Sequence, residues 1–214
     1  MKYNVVVIGI GNVGFSLIEL LYEKHKNLNI FAFDIKKPKY LKPFLERKTF
    51  NFIKVDVTNR DLFEKSINFH KINNINLLVS SVGILSRFKE INKFKEEFDI
   101  NFFGNIIPIK ILLKKIPKKS NNRIIILGST AGNFAVKSMN SYSPSKFALE
   151  SFSSSLQHEL KTDEIHVDII RPSNIINKHS SSFKINNIDQ FQFKIQKRYV
   201  DRRHVWPNAA SLED

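Results

Sequence analysis

Six short apolar runs recur along the chain: Tyr3 to Ile8, Ile30 to Phe33, Phe50 to Val55, Ile75 to Val79, Arg123 to Leu127 and Ile165 to Ile170. They are near-continuous rather than alternating, as expected for strands covered on both faces by helices. Between several of them, apolar residues recur every three or four positions. Val13, Leu17, Leu20 and Leu21 make one stripe, Leu62 to Ile72 reads as a second helix, and Phe103, Ile107, Ile111 and Ile116 run through a third that is apolar on more than one face. A further amphipathic helix opens near Tyr142. Strands alternating with helices predict an α/β fold: a single doubly wound parallel sheet, right-handed crossovers, and a ligand crevice at the carboxyl ends of the strands. The pattern holds over residues 1–177. In the remaining 178–214, Phe191, Phe193 and Ile195 alternate like a strand while Phe191, Ile195 and Tyr199 fit a helix, so this shortened C-terminal region has no assigned structure.

The first run passes directly into Gly9-Ile10-Gly11-Asn12-Val13-Gly14 and then a helix. In that setting each glycine has a mechanical reason. The first makes the tight turn, the second lets backbone approach a pyrophosphate, and the third packs helix against strand, while the helix start at Asn12 and Val13 attracts the anion. The second run ends in Asp34, twenty residues past Gly14, where a carboxylate accepts hydrogen bonds from the ribose hydroxyls of a dinucleotide.

Tyr142 and Lys146 stand four residues apart at a helix opening, on one face, with Ser129 thirteen residues upstream of the tyrosine. Pro144 lies between them and is tolerated in a first turn, with Asn140 or Ser141 as N-cap. A fixed ammonium beside a phenol favours the phenolate and lowers a pKa that is otherwise about 10. Such a phenol can exchange a proton with an oxygen held by a serine hydroxyl.

Ser129, Tyr142-Ser143-Pro144-Ser145-Lys146 and their spacing resemble the short-chain dehydrogenase/reductase family, whose fold is a Rossmann sheet binding NAD or NADP. The resemblance implies hydride transfer between nicotinamide and a small-molecule carbonyl or secondary alcohol. Tyr142 would be acid/base, Lys146 would tune it and hold the nicotinamide ribose, Ser129 would hold the substrate oxygen, and Asn101 would order a proton-relay water. It also implies cofactor contacts from Asp56-Val57, Ser81, Gly83, Pro172 and Asn177. Asp56 or Thr58 equally suits a helix N-cap. The chain departs from the family pattern in Ile8, where a threonine is usual, in the tighter glycine spacing, in Ser80-Ser81 where two asparagines are usual, and in Ser173. NAD is favoured over NADP because Asp34 would repel a 2′-phosphate, although Lys36 and Lys37 follow closely. A sugar-nucleotide-modifying enzyme with the same Tyr/Lys pair, and a non-catalytic dinucleotide-binding regulatory or scaffolding protein, are the alternatives.

Composition narrows the picture. The 214 residues suffice for one domain, 42% are hydrophobic and 25% charged, and no apolar run approaches the roughly 18 residues of a membrane helix. The N-terminus enters a strand directly, without the pattern of a signal peptide. Cysteine is absent, so a cytoplasmic protein is expected. The net charge of +14 comes mostly from lysines scattered in pairs without aromatic interleaving, which predicts a solvated surface rather than a nucleic-acid face or a membrane contact. The six histidines show no metal-ligand spacing, so no metal site is expected. Surplus apolar surface on the helices holding Phe103 to Ile116 and Phe147 to Leu160 predicts a homo-oligomer, most simply a homodimer.

Overall fold

A computed structural model of the protein describes residues 3–85 and 91–172. The elements are β1 (Tyr3–Ile8), α1 (Asn12–Lys24), β2 (Leu28–Asp34), α2 (Lys42–Leu45), β3 (Phe50–Lys54), α3 (Arg60–Phe69), β4 (Ile75–Ser80), α4 (Ile91–Phe98), α5 (Gly104–Leu112), β5 (Arg123–Leu127), α6 (Tyr142–Leu160) and β6 (His166–Ile170). The strands form one parallel sheet in the order β3-β2-β1-β4-β5-β6. Chain order therefore reverses between β1 and β4, and the loops leaving these two strands bound the crevice in which such sheets bind ligands. All six predicted strands are present, each within two residues of its expected bounds. Expectations for Asn177 and for residues 178–214 lie outside the described residues.

The period of two in β1 splits the core. Val6 and Ile8 face a cluster with Phe33, Phe63, Ile109, Leu112, Leu149 and Leu156, under α3, α5 and α6. Val5 and Val7 face a second cluster with Ile18, Ile30, Leu41, Phe44 and Phe50, under α1 and α2. The second is strongly aromatic: Phe44 packs on Tyr22 with ring centroids 5.6 Å apart and on Phe50 at 5.8 Å. Covering both faces explains why the strands read as unbroken apolar runs.

Helix faces differ from the expected stripes. In α1 the buried residues are Gly14 and Ile18, one residue round from Val13 and Leu17, because Gly14 lies against the carbonyl of Gly9 and turns that side inward. In α5 the buried set includes Gly104, Asn105, Pro108, Ile109 and Leu112, so the stripe through Phe103, Ile107 and Ile111 is the outer one. The segment preceding α5 is not α-helical: Asp99–Phe103 forms a π-helical turn. The predicted helix from Leu62 begins earlier, at Arg60, and its N-cap is neither Asp56 nor Thr58 but Asn59, whose side chain accepts from the Leu62 amide at 3.1 Å. Among the described residues no helix is long and apolar enough to cross a membrane.

At the amino edge of the sheet, asparagines join neighbouring strands. Asn29 donates to Asn4 at 3.2 Å, Asn76 accepts from the Asn4 amide at 2.9 Å, and Asn76 donates to Asn122 at 3.2 Å. The asparagine excess of the composition thus satisfies polar groups where the strands begin. The chemistry-bearing residues gather at the opposite edge.

Candidate active site

The glycine turn is built from contacts a side chain would forbid. Gly9 has φ +81°, and a Cβ there would lie 2.9 Å from the Ser81 carbonyl oxygen. A Cβ on Gly14 would lie 2.1 Å from the Gly9 carbonyl oxygen, so helix and turn can meet only if this residue is glycine. Gly11, the N-cap of α1, is the reverse case: nothing comes within 4 Å of where its Cβ would be. Open backbone at a helix start is what a pyrophosphate requires.

Asp34 reaches this turn from the end of β2. One carboxylate oxygen accepts from the Ile10 amide at 2.7 Å and the other from the Lys36 amide at 3.1 Å, leaving each with further lone pairs for a ribose. Tyr40 completes the brace by donating to the Ile10 carbonyl at 2.6 Å. Two expected contacts are relocated. The Ser81 hydroxyl donates to the Gly9 carbonyl at 2.6 Å and so fastens the turn to the end of β4. Asp56 is exposed and accepts from the Thr58 amide at 2.9 Å and hydroxyl at 2.7 Å, while the Val57 side chain is buried in the core, leaving only its backbone to meet a ligand.

Across the crevice, Gly83 follows β4. A Cβ there would lie 3.3 Å from Asn101 Oδ1 and 3.4 Å from Lys146 Nζ, so the missing side chain keeps a gap open beside both groups. Asn101 is fully buried in the π-helical turn, a feature frequent at functional sites. Its side chain accepts from the Ile84 amide at 2.7 Å, donates to the Ile84 carbonyl at 3.0 Å and donates to Ser145 at 3.3 Å. Asn101 therefore pins the loop after β4 to α6, and its own carbonyl is taken by Asn105 at 2.7 Å. Asn105 also donates to the Val82 carbonyl at 2.9 Å and accepts from Ser80 at 2.7 Å.

Ser129 follows β5, is buried, and is hydrogen-bonded to Tyr142. Tyr142 opens α6, and Lys146 lies one turn on with Nζ 5.7 Å from the phenol ring centroid and 3.1 Å from the Leu127 carbonyl it donates to. Pro172, after β6, accepts from the Thr130 amide at 3.1 Å and closes this side. The structure thus brings Gly9, Gly11, Asn12, Gly14, Asp34, Gly83, Asn101, Ser129, Tyr142, Lys146 and Pro172 to one edge of the sheet.

The electrostatics reverse one expectation. Tyr142 is not pushed towards phenolate: burial raises its pKa, the hydrogen bond from Ser129 opposes this, and the Glu97 carboxylate raises it again. Lys146 is the group that yields. Burial lowers its pKa to about 8, opposed by the Glu150 carboxylate one turn along the helix. Desolvation dominates both because each group has left water and neither has a full counter-charge. Glu150 is itself ion-paired with Arg171 from the end of β6.

Sequence reading missed Tyr40, Glu97, Asn105, Ser145 and the Glu150–Arg171 pair. Two of these, Glu97 and Asn105, were signalled by their register with Asn101. Glu97, Asn101 and Asn105 fall at i, i+4 and i+8, a polar line through an otherwise apolar segment, and all three are fully buried.

The short chain dehydrogenase family profile matches residues 4–184. The chain belongs to the short-chain dehydrogenase/reductase family, oxidoreductases that bind NAD(P). It is similar to 3-dehydrosphinganine reductase of Danio rerio, at 29% identity over 106 residues, covering 48% of this chain. The match spans about a third of that relative, 32% of its length. Among solved structures, a short chain dehydrogenase family protein from Francisella tularensis superposes with TM-score 0.71 at 25% identity, over 81% of this chain and 70% of the other. The structure of ElxO with NADP bound has TM-score 0.72 at 20% identity, over 92% and 83%, which is a likeness of fold.

A lysine whose pKa falls on folding binds fewer protons in the folded chain than in the unfolded one, so stability rises with pH between the two values, about 8 and 10.5. Lys146→Met removes the buried ammonium. It is expected to show a higher urea midpoint than the native protein at pH 7, with the difference shrinking as pH rises through that window. A pH-independent difference would show that Lys146 is not a desolvated cation.

Proposed function

We propose that this protein is an NAD(P)-dependent oxidoreductase that transfers a hydride between nicotinamide and a carbonyl or secondary alcohol. The observation that carries the reading is the meeting of Ser129, Tyr142 and Lys146 beside the gap at Gly83, at the edge that also holds the glycine turn. The cofactor would supply the hydride. Gly11 and the first amides of α1 would take its pyrophosphate, Asp34 its adenosine ribose, and Lys146 its nicotinamide ribose. Ser129 would orient the carbonyl oxygen, Tyr142 would exchange a proton with it, and Asn101 would hold the loop carrying Gly83 and support any relay water near Lys146. Exposed Ile84, Leu85 and Phe134, on the loops after β4 and β5, favour an apolar carbonyl. The cytoplasm is the compartment this reading assumes, as the cysteine-free composition allows.

NAD is the cofactor favoured, because Asp34 would stand against a 2′-phosphate, a repulsion that can reach about a hundredfold in affinity. Lys36 and Lys37 act in the opposite sense, and ElxO, a relative in fold, binds NADP. One preparation tests the reading against a panel of apolar and polar ketones. Tyr142→Phe is expected to lose about a hundred- to ten-thousand-fold in turnover, the usual worth of general acid catalysis, with NADH affinity largely kept. The native protein is expected to bind NADH more tightly than NADPH. Near-full activity in the variant would overturn the role of Tyr142, and NADPH preference would overturn that of Asp34.

The assembly favoured is a homodimer through the outer faces of the π-helical turn, α5 and α6. Phe103 and Phe147 are 44% and 42% exposed there, apolar surface of the kind that marks an interface. Sedimentation at micromolar concentration is expected to give twice the chain mass, and Phe103→Glu with Phe147→Glu to give one. A native monomer would refute the assembly.

A further inference from the structure

The peptide groups on both sides of Ile10 are held by side chains from elsewhere in the chain. In the first, the Gly9 carbonyl accepts from the Ser81 hydroxyl at 2.6 Å and the Ile10 amide donates to Asp34 at 2.7 Å. In the second, the Ile10 carbonyl accepts from the Tyr40 hydroxyl at 2.6 Å, and the other end of that group is the Gly11 amide. A trans peptide is planar, with its C=O and N–H pointing opposite ways, and no peptide bond among the described residues is cis. Fixing the Ile10 carbonyl therefore fixes the direction of the Gly11 N–H, which is turned away from Tyr40. Gly11 is exposed, nothing lies within 4 Å of where its Cβ would be, and as N-cap of α1 its amide has no intrahelical acceptor.

The core beneath Tyr40 holds it in place for this. The residue lies in a short 3₁₀ turn, Lys39–Leu41, between β2 and α2. Leu41 beside it is fully buried in the cluster that also contains Phe44. The Tyr40 ring packs on Phe15 of α1 with centroids 4.5 Å apart, and Phe15 meets Phe44 at 5.8 Å. Ring packing thus sets where the hydroxyl stands, and the hydroxyl sets the turn.

We propose that Tyr40 is a positioning residue for the dinucleotide: by holding the Ile10 carbonyl it aims the Gly11 amide at the oxygens of the cofactor's pyrophosphate. The proposal rests on the reading of the glycine turn as the seat of that pyrophosphate. N–H groups at a helix start suit a diphosphate, and a donor already aimed does not have to be ordered when the ligand arrives. The hydroxyl of Tyr40 therefore adds to affinity without touching the ligand. Asp34 fixes the neighbouring amide in the same way, but its carboxylate is also assigned to the ribose, so Tyr40 is the residue that separates aim from contact.

Tyr40→Phe removes the hydroxyl and keeps the ring against Phe15. Dissociation constants are measured for NADH by its fluorescence, for ADP-ribose by competition with NADH, and for adenosine by saturation-transfer NMR. The variant is expected to bind NADH and ADP-ribose, which carry the pyrophosphate, about tenfold more weakly than the native protein, and adenosine equally well. A general loosening of the fold would weaken adenosine to the same degree, and that result overturns the proposal. Unchanged affinity for ADP-ribose also overturns it. A native protein that binds adenosine but neither NADH nor ADP-ribose removes the pyrophosphate reading itself and this proposal with it, a failure seen before any variant is compared.

Discussion

The candidate site depends on a buried chain of polar side chains that would be ruinous if left incomplete. Ser80 donates to Asn105, Asn105 donates to the carbonyls of Val82 and Asn101, and Asn101 engages both backbone groups of Ile84 and reaches Ser145. Ser145 in turn donates to the Tyr142 carbonyl at 2.7 Å. An unsatisfied buried donor or acceptor costs about 1–3 kcal/mol, so this arrangement is stable only when every member is present. Its consequence is positional. The end of β4, the loop carrying Gly83, the π-helical turn and the first turn of α6 are held as one unit, and the crevice between Gly83 and Lys146 has a fixed width.

The second determinant is desolvation. A phenol, an ammonium and two carboxylates have been drawn into the edge of the core, where burial sets the direction of the shift for the phenol and the ammonium. Lys146 spends its hydrogen bond on the Leu127 carbonyl, Glu150 turns to Arg171, and Glu97 takes the hydroxyl of Ser141. The pair expected to behave as ammonium and phenolate instead inclines towards a readily deprotonated lysine and a proton-retaining tyrosine. A ligand that excludes water or carries charge into this crevice would act on both groups at once, which is how one small site can be sensitive to what occupies it.

Much of this was legible in the residues themselves. Glycine spacing announced the turn because Gly9 and Gly14 answer to steric limits no other residue meets, and the unbroken apolar runs announced a sheet covered on both faces. Tyr142, Lys146 and Ser129 were legible because chemistry fixes their types and a helix turn fixes their spacing. The direction of the pKa shifts was not, since it depends on burial and on Glu97, which approaches from another helix. The facing of α1 and α5 was missed for a related reason. Gly14 and Gly104 carry no apolar weight, yet they lie on the buried sides because closeness, not hydrophobicity, decides there. Ser81 and Asp56 took places beside the crevice but spend their side chains on backbone and hydroxyl partners, which residue type alone could not reveal.

The most direct test of the account is to follow the hydride itself. Reduced nicotinamide cofactor carrying deuterium at both C4 positions is given to the native protein with a panel of ketones, and the alcohols are examined by mass spectrometry. The account predicts an alcohol with one deuterium on its carbinol carbon. Alcohol formed without the label, or bound reduced cofactor that stays intact with every ketone offered, would contradict it.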